Sequence, residues 1–177
     1  MKRIKASQLA QEIPGLMSGD EVLLSGIIYT ARDQAHKRLV DSMKKSAKSP
    51  IDLKGAVIYY CGPTKTPKGK IIGSCGPTTS SRMDSFASKL LKAGVLAMIG
   101  KGNRSKEVQE SIKEQRGVYF LAYAGCGALL SKYVMSAKVV AYKELGPEAI
   151  HRLEVKDLPL IVAIDSRGKN IYQEIKL

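Results

Sequence analysis

The chain has 177 residues, of which 44% are apolar and 25% charged, so it is long enough to bury a core as one domain over 1–177 and too apolar for a disordered or fibrous class. Lys and Arg number 29 against 16 Asp and Glu, a formal charge of +13 that favours anionic partners. No apolar run is long enough to span a bilayer, and MKRIKASQLA lacks the apolar centre of a signal peptide, so a cytoplasmic protein with no membrane role is expected.

From Glu21 to Tyr29 the run EVLLSGIIY reads as a strand, and Asp33 to Lys45 follows with helical spacing through Ala35, Leu39, Val40 and Met43. A second strand is expected over Ala56–Tyr60, then a Lys-, Thr-, Pro- and Gly-rich loop, CGPTKTPKGK, and a short apolar run at Ile71 and Ile72. Ser80 or Ser81 is the expected N-cap of a helix through Leu91, stopped by Gly94. Val95–Ile99 is the next strand, Ser105–Gln115 the next helix, and Val118–Tyr123 another strand ending in AGCGALL. After a short helix and a strand at Lys138–Ala141, LPLIVAID, SRGKN and IYQEI read as a β-hairpin with Gly168 in the turn. Alternation through the middle predicts an α/β fold with parallel pairs, and the two ends look antiparallel, so the sheet is expected to be mixed.

The three cysteines, Cys61, Cys75 and Cys126, are far apart and odd in number, which argues against a disulfide framework. As ligands of an iron-sulfur cluster they lack any CxxC pair, and each sits beside Gly at the end of an apolar run, where Cys serves as a small hydrophobe. Nucleic acid is the reflex partner for such a charge. However, the basic residues are spread along the chain, there is no Trp, only two Phe and no reader motif. No nucleic-acid partner is expected, and a stand-alone small-anion or nucleic-acid binding module is kept as the alternative function.

Three strand-to-helix junctions carry the polar chemistry: YTARDQAH with Arg32, Asp33 and His36; GPTTSSR with Thr78, Thr79 and Arg82; and GKGNR with Lys101 between two glycines. In open α/β sheets ligands gather beyond the carboxyl ends of strands, where such loops meet. Taken singly, each has a plainer explanation as a cap, a satisfied polar residue or a solvated charge. Neither a P-loop nor a Rossmann fingerprint is present, which leaves a carboxylate as the ligand best suited to these donors.

The segments SGIIYTARDQAHKR, GPTTSSRMD, MIGKGNRS, AGCGALL and ELGPEAIHRLEVKDLPLIVAID together resemble the β subunit of the class I, iron-sulfur fumarate hydratase and L(+)-tartrate dehydratase family, equivalent to the C-terminal domain of single-chain members. The similarity runs from about Ser25 to Tyr172. It implies a three-layer β/β/α domain of the swivelling type and a hydro-lyase acting on a four-carbon dicarboxylate. It also implies a [4Fe-4S] cluster held by a partner α subunit, none on this chain, and a hetero-oligomer inactive without that subunit. By motif, Arg32, Arg82 and Lys101 would bind substrate carboxylates and Thr78 would be the acid or base, with Asp33, His36 and Thr79 as orienting groups. Removing a proton beside a carboxylate builds a second negative charge there, which fixed cations stabilise.

Overall fold

The branched and aromatic runs become strands, as side chains suited to a pleated, buried surface should. The computed structural model describes residues 1–174, with one seven-stranded mixed sheet: β1 (Lys2–Lys5), β2 (Glu21–Thr30), β3 (Val57–Tyr59), β4 (Ala97–Gly100), β5 (Val118–Leu121), β6 (Val134–Ala141) and β7 (Ile150–Ile164). The α-helices are α1 (Leu9–Glu12), α2 (Asp33–Lys44), α3 (Asp84–Lys92), α4 (Lys106–Glu114), α5 (Gly127–Leu130) and α6 (Ile171–Glu174).

Strands β1 to β5 pair in parallel, each with its neighbour, whereas β7 runs antiparallel to β2, β5 and β6. Because β7 pairs with both β2 and β5, the hydrogen bonding passes through β2, β3, β4, β5 and β7 and returns to β2. Closure gives the molecule two cores. Successive side chains of a strand point to opposite faces. Val57 and Tyr59 of β3, Ala97 and Ile99 of β4 and Val118 and Phe120 of β5 therefore join Val22, Leu24 and Ile28 of β2 and Leu160 and Val162 of β7 inside the circuit. The intervening Ile58, Met98 and Tyr119 pack against Leu39 of α2, Leu90 and Leu91 of α3 and Val108 and Ile112 of α4. Strand layer on strand layer, with helices outside, is the β/β/α arrangement expected.

The structure differs from the sequence expectation in three places. Lys2–Lys5 forms β1 and pairs in parallel with β2, so the N-terminal end of the sheet is not antiparallel. Ser80 and Ser81 do not cap a helix. They open a 3-10 turn, Ser80–Met83, and the buried Ser80 hydroxyl is hydrogen-bonded to Tyr119 Oη at 2.8 Å instead. The C-terminal hairpin is reduced to one bridge, Ile164 to Asn170, after which the chain turns into α6. Asn170 is the cause, because its side-chain oxygen accepts from Tyr172 N at 3.1 Å and its carbonyl from Gln173 N at 2.9 Å. Ile175 of the expected second strand lies outside the described residues. The apolar run Ile71 and Ile72 lies in the loop, with Ile71 exposed and Ile72 buried. Among the described residues no helix is long and apolar enough to cross a membrane.

Phe120, fully buried inside the circuit, and Met135, exposed on β6, provide a test of this division. Phe120→Ala should lower the unfolding free energy in urea by about 3–5 kcal/mol and Met135→Ala by less than about 0.5 kcal/mol; equal effects would contradict the assignment of the inner core.

Candidate active site

The three polar junctions lie at the carboxyl ends of β2, β3 and β4, which are parallel neighbours, so topology alone brings their loops to one rim. Backbone hydrogen bonds then fix two of them together. Thr78 N donates to Tyr60 O at 2.6 Å, Lys101 N to Thr78 O at 3.3 Å and Ser80 N to Lys101 O at 2.9 Å. Thr79 thus pairs with Lys101 as a single parallel bridge, and Cys61 pairs with Pro77 on the other side. The segment Pro77–Ser80 is in effect a short extra strand laid across the ends of β3 and β4. Gly100 makes this possible, since a Cβ there would collide with the Ser80 hydroxyl.

Arg82 ties the third loop in. Its Nε and Nη2 donate to the two oxygens of Asp33 at 3.2 and 2.6 Å, a two-pronged bond between the Ser80–Met83 turn and the start of α2. Arg32, one residue earlier, takes extended backbone (φ −122°) and lies against Gly62, where a Cβ would stand 2.7 Å from Arg32 Nη1. The Arg32 loop therefore reaches the Thr78 segment by two routes, through Asp33 and Arg82, and through Gly62, Cys61 and Pro77. Thr78 and Lys101 are half-buried, and Thr79 and Arg82 exposed. Among the described residues Lys101 has no carboxylate within ion-pairing distance, whereas Arg82 has Asp33 and Arg32 has Glu148 at 3.6 Å.

His36 is packed beneath its own helix start, against Tyr60 and Phe86. Its ring is fully buried, edge-on to Tyr60 with centroids 5.2 Å apart and tilted against Phe86, and its Nδ1 lies 2.9 Å from Arg32 O. Burial lowers its pKa from 6.5 to about 4, against the opposing pull of the Arg32 carbonyl. Its nearest link to the rim is thus the backbone of Arg32.

Several residues that build the site were not singled out by sequence reasoning. Arg104 has a fully buried side chain, with its guanidinium 5.3 Å from the Tyr60 ring and 5.0 Å from that of Tyr119. It donates to Asp84 at 2.7 Å, and the other Asp84 oxygen accepts from Ser105 N at 2.7 Å, so one carboxylate at the start of α3 holds the start of α4. The Gly-Asn-Arg ending of GKGNR carried the only hint, and it reads equally well as a solvated loop. Glu148, pairing with Arg32 and accepting from Gln34 N at 2.9 Å, sits in the Gly-Pro-Glu turn before β7.

Cys61 and Cys75 are buried side by side in the inner core, and a mutual hydrogen bond together with burial raises the Cys61 thiol pKa well above its ordinary range. Cys126 is half-buried, and among the described residues no three His, Cys, Asp or Glu groups are placed to share a metal ion. This donor set does not fit a three-cysteine iron-sulfur cluster, and no chemistry of this chain is routed through one.

Fold, loop order and motifs together define the class. The chain belongs to the fumarase C-terminus family, which it matches over residues 1–175. It is 40% identical over 171 residues to a Methanocaldococcus jannaschii protein provisionally named L(+)-tartrate dehydratase subunit beta, covering 93% of this chain and 88% of that one. It is also 40% identical over 156 residues to the aerobic class I fumarate hydratase of Escherichia coli K12, covering 87% of this chain and 28% of that enzyme. Fumarate hydratase 2 of Leishmania major is 36% identical over 169 residues, with 94% of this chain matched to 30% of the enzyme. The chain thus spans less than a third of the two fumarate hydratases and nearly all of the archaeal subunit.

The buried, neutral His36 generates a pH prediction. Its folded pKa of about 4 lies below 6.5, so the unfolded chain takes up the proton first; the His36 contribution is complete above about pH 6.5 and is lost as the pH falls toward 4. That gap corresponds to about 3 kcal/mol. Urea unfolding of His36→Gln should lack this share of the acid destabilisation, and a variant as acid-sensitive as the wild type would contradict the assignment.

Proposed function

We propose that this chain is the β subunit of a hydro-lyase that adds or removes water across the double bond of a four-carbon dicarboxylate. Fumarate and malate are the first choice of substrate pair, and dehydration of L(+)-tartrate to oxaloacetate the second. The observation that carries the reading is the rim where Thr78, Thr79 and Lys101 share one backbone ladder while Arg82, Asp33 and Arg32 are joined to it. Family membership and the names of the relatives supply the reaction class.

Arg32, Arg82 and Lys101 bind the substrate's two carboxylates. A close charge contact of this kind is worth on the order of 4 kcal/mol at an effective dielectric near 20. When the proton beside a carboxylate is removed, the charge that builds up on that carboxylate meets cations already in place, so little reorganisation accompanies the step. Thr78 exchanges the proton at that carbon. A free hydroxyl is a weak base, and the neighbouring Lys101 favours its deprotonated form. Asp33 orients Arg82, Thr79 steadies the ladder and His36 holds the Arg32 carbonyl.

The site is a shelf rather than a pocket, with Thr79 and Arg82 exposed, and a small ligand bound there needs a second wall. An α subunit would supply that wall in this reading, and the [4Fe-4S] cluster that it would hold would supply Lewis-acid chemistry. The excess of basic residues suits both a dianionic substrate and an acidic partner. The cytoplasm, a reducing compartment that suits three free cysteines, is the corresponding location.

Anaerobic reconstitution with an α subunit, followed by parallel assays on fumarate, malate and tartrate, tests the reading, and failure on all three would refute it. In an active complex Lys101→Ala should lower kcat/KM by about 10²–10³-fold. Thr78→Ala should lower kcat by about 10²–10⁴-fold while the affinity for an unreactive dicarboxylate such as succinate stays within about threefold, and an unchanged kcat would remove Thr78 from the chemistry.

A further inference from the structure

Glu148 belongs to a turn, Lys143–Glu148, in which Gly146 takes φ 59° and ψ −121°. The turn is fastened to α2 along its length. Arg38 pairs with Glu144 and places its guanidinium 5.1 Å from the centroid of the Tyr142 ring. Glu148 provides the remaining two ties, because one oxygen accepts from Gln34 N at 2.9 Å and the other lies 3.6 Å from Arg32 Nη2. The side chains of Arg32 and Glu148 are 24% and 22% exposed, so water screens the pair only in part.

The opposite side of the Arg32 guanidinium is closed by backbone. A Cβ at Gly62 would stand 2.7 Å from Arg32 Nη1, 2.9 Å from its Cδ and 3.1 Å from Pro147 O. The guanidinium therefore lies in a slot between Gly62 and the Pro147–Glu148 turn, and only an unbranched backbone at position 62 leaves room for it. Its Nε is buried and has no acceptor among the described residues. Guanidinium carries five N–H donors, and Glu148 stands at ion-pair distance from one end of the fork.

We propose that Glu148 is a positioning residue: anchored on the first turn of α2, it fixes the rotation of the Arg32 guanidinium in the Gly62 slot, so that its open Nη donors are presented to the anionic ligand of the rim. It acts through Arg32 and does not touch the ligand. Fixing a long side chain before binding removes an ordering cost from association. The inference deepens the hydro-lyase reading and rests on it for its kinetic test.

In the reconstituted complex Glu148→Gln, which keeps an acceptor for Gln34 N, should lower kcat/KM by about tenfold, and Arg32→Ala by more. The Arg32→Ala, Glu148→Gln double variant should fall within about twofold of Arg32→Ala alone, because Glu148 has nothing left to position. Full additivity would overturn the proposal, since a role in general stability survives the loss of Arg32. A second measurement needs no activity: the Arg32 Nε–H resonance of the full chain should be resolved in the wild type and broadened in Glu148→Gln, and an unchanged resonance would also overturn it. If the wild-type complex acts on none of the three acids, the hydro-lyase reading fails and this resonance alone decides the role of Glu148. Should Glu148→Gln not fold, Gly62→Ala, which fills the slot from the other side, must shift the same resonance, and a failure to do so counts against the proposal.

Discussion

The arrangement depends on the backbone ladder that stitches Pro77–Ser80 to the ends of β3 and β4. Three hydrogen bonds, from Thr78 N to Tyr60 O, Lys101 N to Thr78 O and Ser80 N to Lys101 O, convert a loop into a strand-like element whose position is set by the sheet. A side chain on such an element inherits the rigidity of the parallel sheet beneath it, which a free loop cannot offer. The ladder is itself held from below, where the Ser80 hydroxyl meets Tyr119 and Tyr119 Oη reaches Gly102 O at 2.8 Å. Buried aromatic residues of the helix-side core therefore fix the height of the polar rim.

Charge at the rim is balanced rather than merely positive. Arg82 and Arg32 each have a carboxylate companion, Asp33 in the first turn of α2 and Glu148 hydrogen-bonded to that turn through Gln34 N. Partnered arginines are costly to displace and geometrically defined, whereas Lys101, with no such companion among the described residues, contributes charge that a ligand can use in full. Three cations against two carboxylates leave a net single positive charge, which suits the dianion proposed as ligand without the rim repelling itself when empty. The overall charge of +13 is a different quantity, spread over Lys and Arg along the whole chain.

Much of this was legible in the sequence, and the reasons are physical. EVLLSGIIY, AVIYY, VLAMI and VYFL are dense in branched or aromatic residues, and each became a strand within a residue or two of its expected limits. The junctions carrying Arg32, Thr78 and Lys101 were visible because parallel sheets place their functional loops at carboxyl ends. KRIK was invisible as a strand, since three of its four residues are exposed and the pairing comes from β2 rather than from local propensity. The fifteen-residue length of β7 was hidden by the charged residues of HRLEVKDLP, whose alternation with Leu153 and Val155 follows the period of a half-buried strand. Glu148 and Arg104 escaped notice because their importance lies in which distant residue they meet, Arg32 in one case and Tyr60, Tyr119 and Asp84 in the other.

The central claim is that loops from three strand ends make one anion site. Backbone amide resonances of the full chain, followed while a non-reacting four-carbon dicarboxylate is added, test it most directly. The account predicts that the perturbed amides cluster at 30–36, 61–63, 77–82 and 100–103 and saturate together. Shifts scattered over the exposed lysines, or a cluster confined to another face, would contradict it.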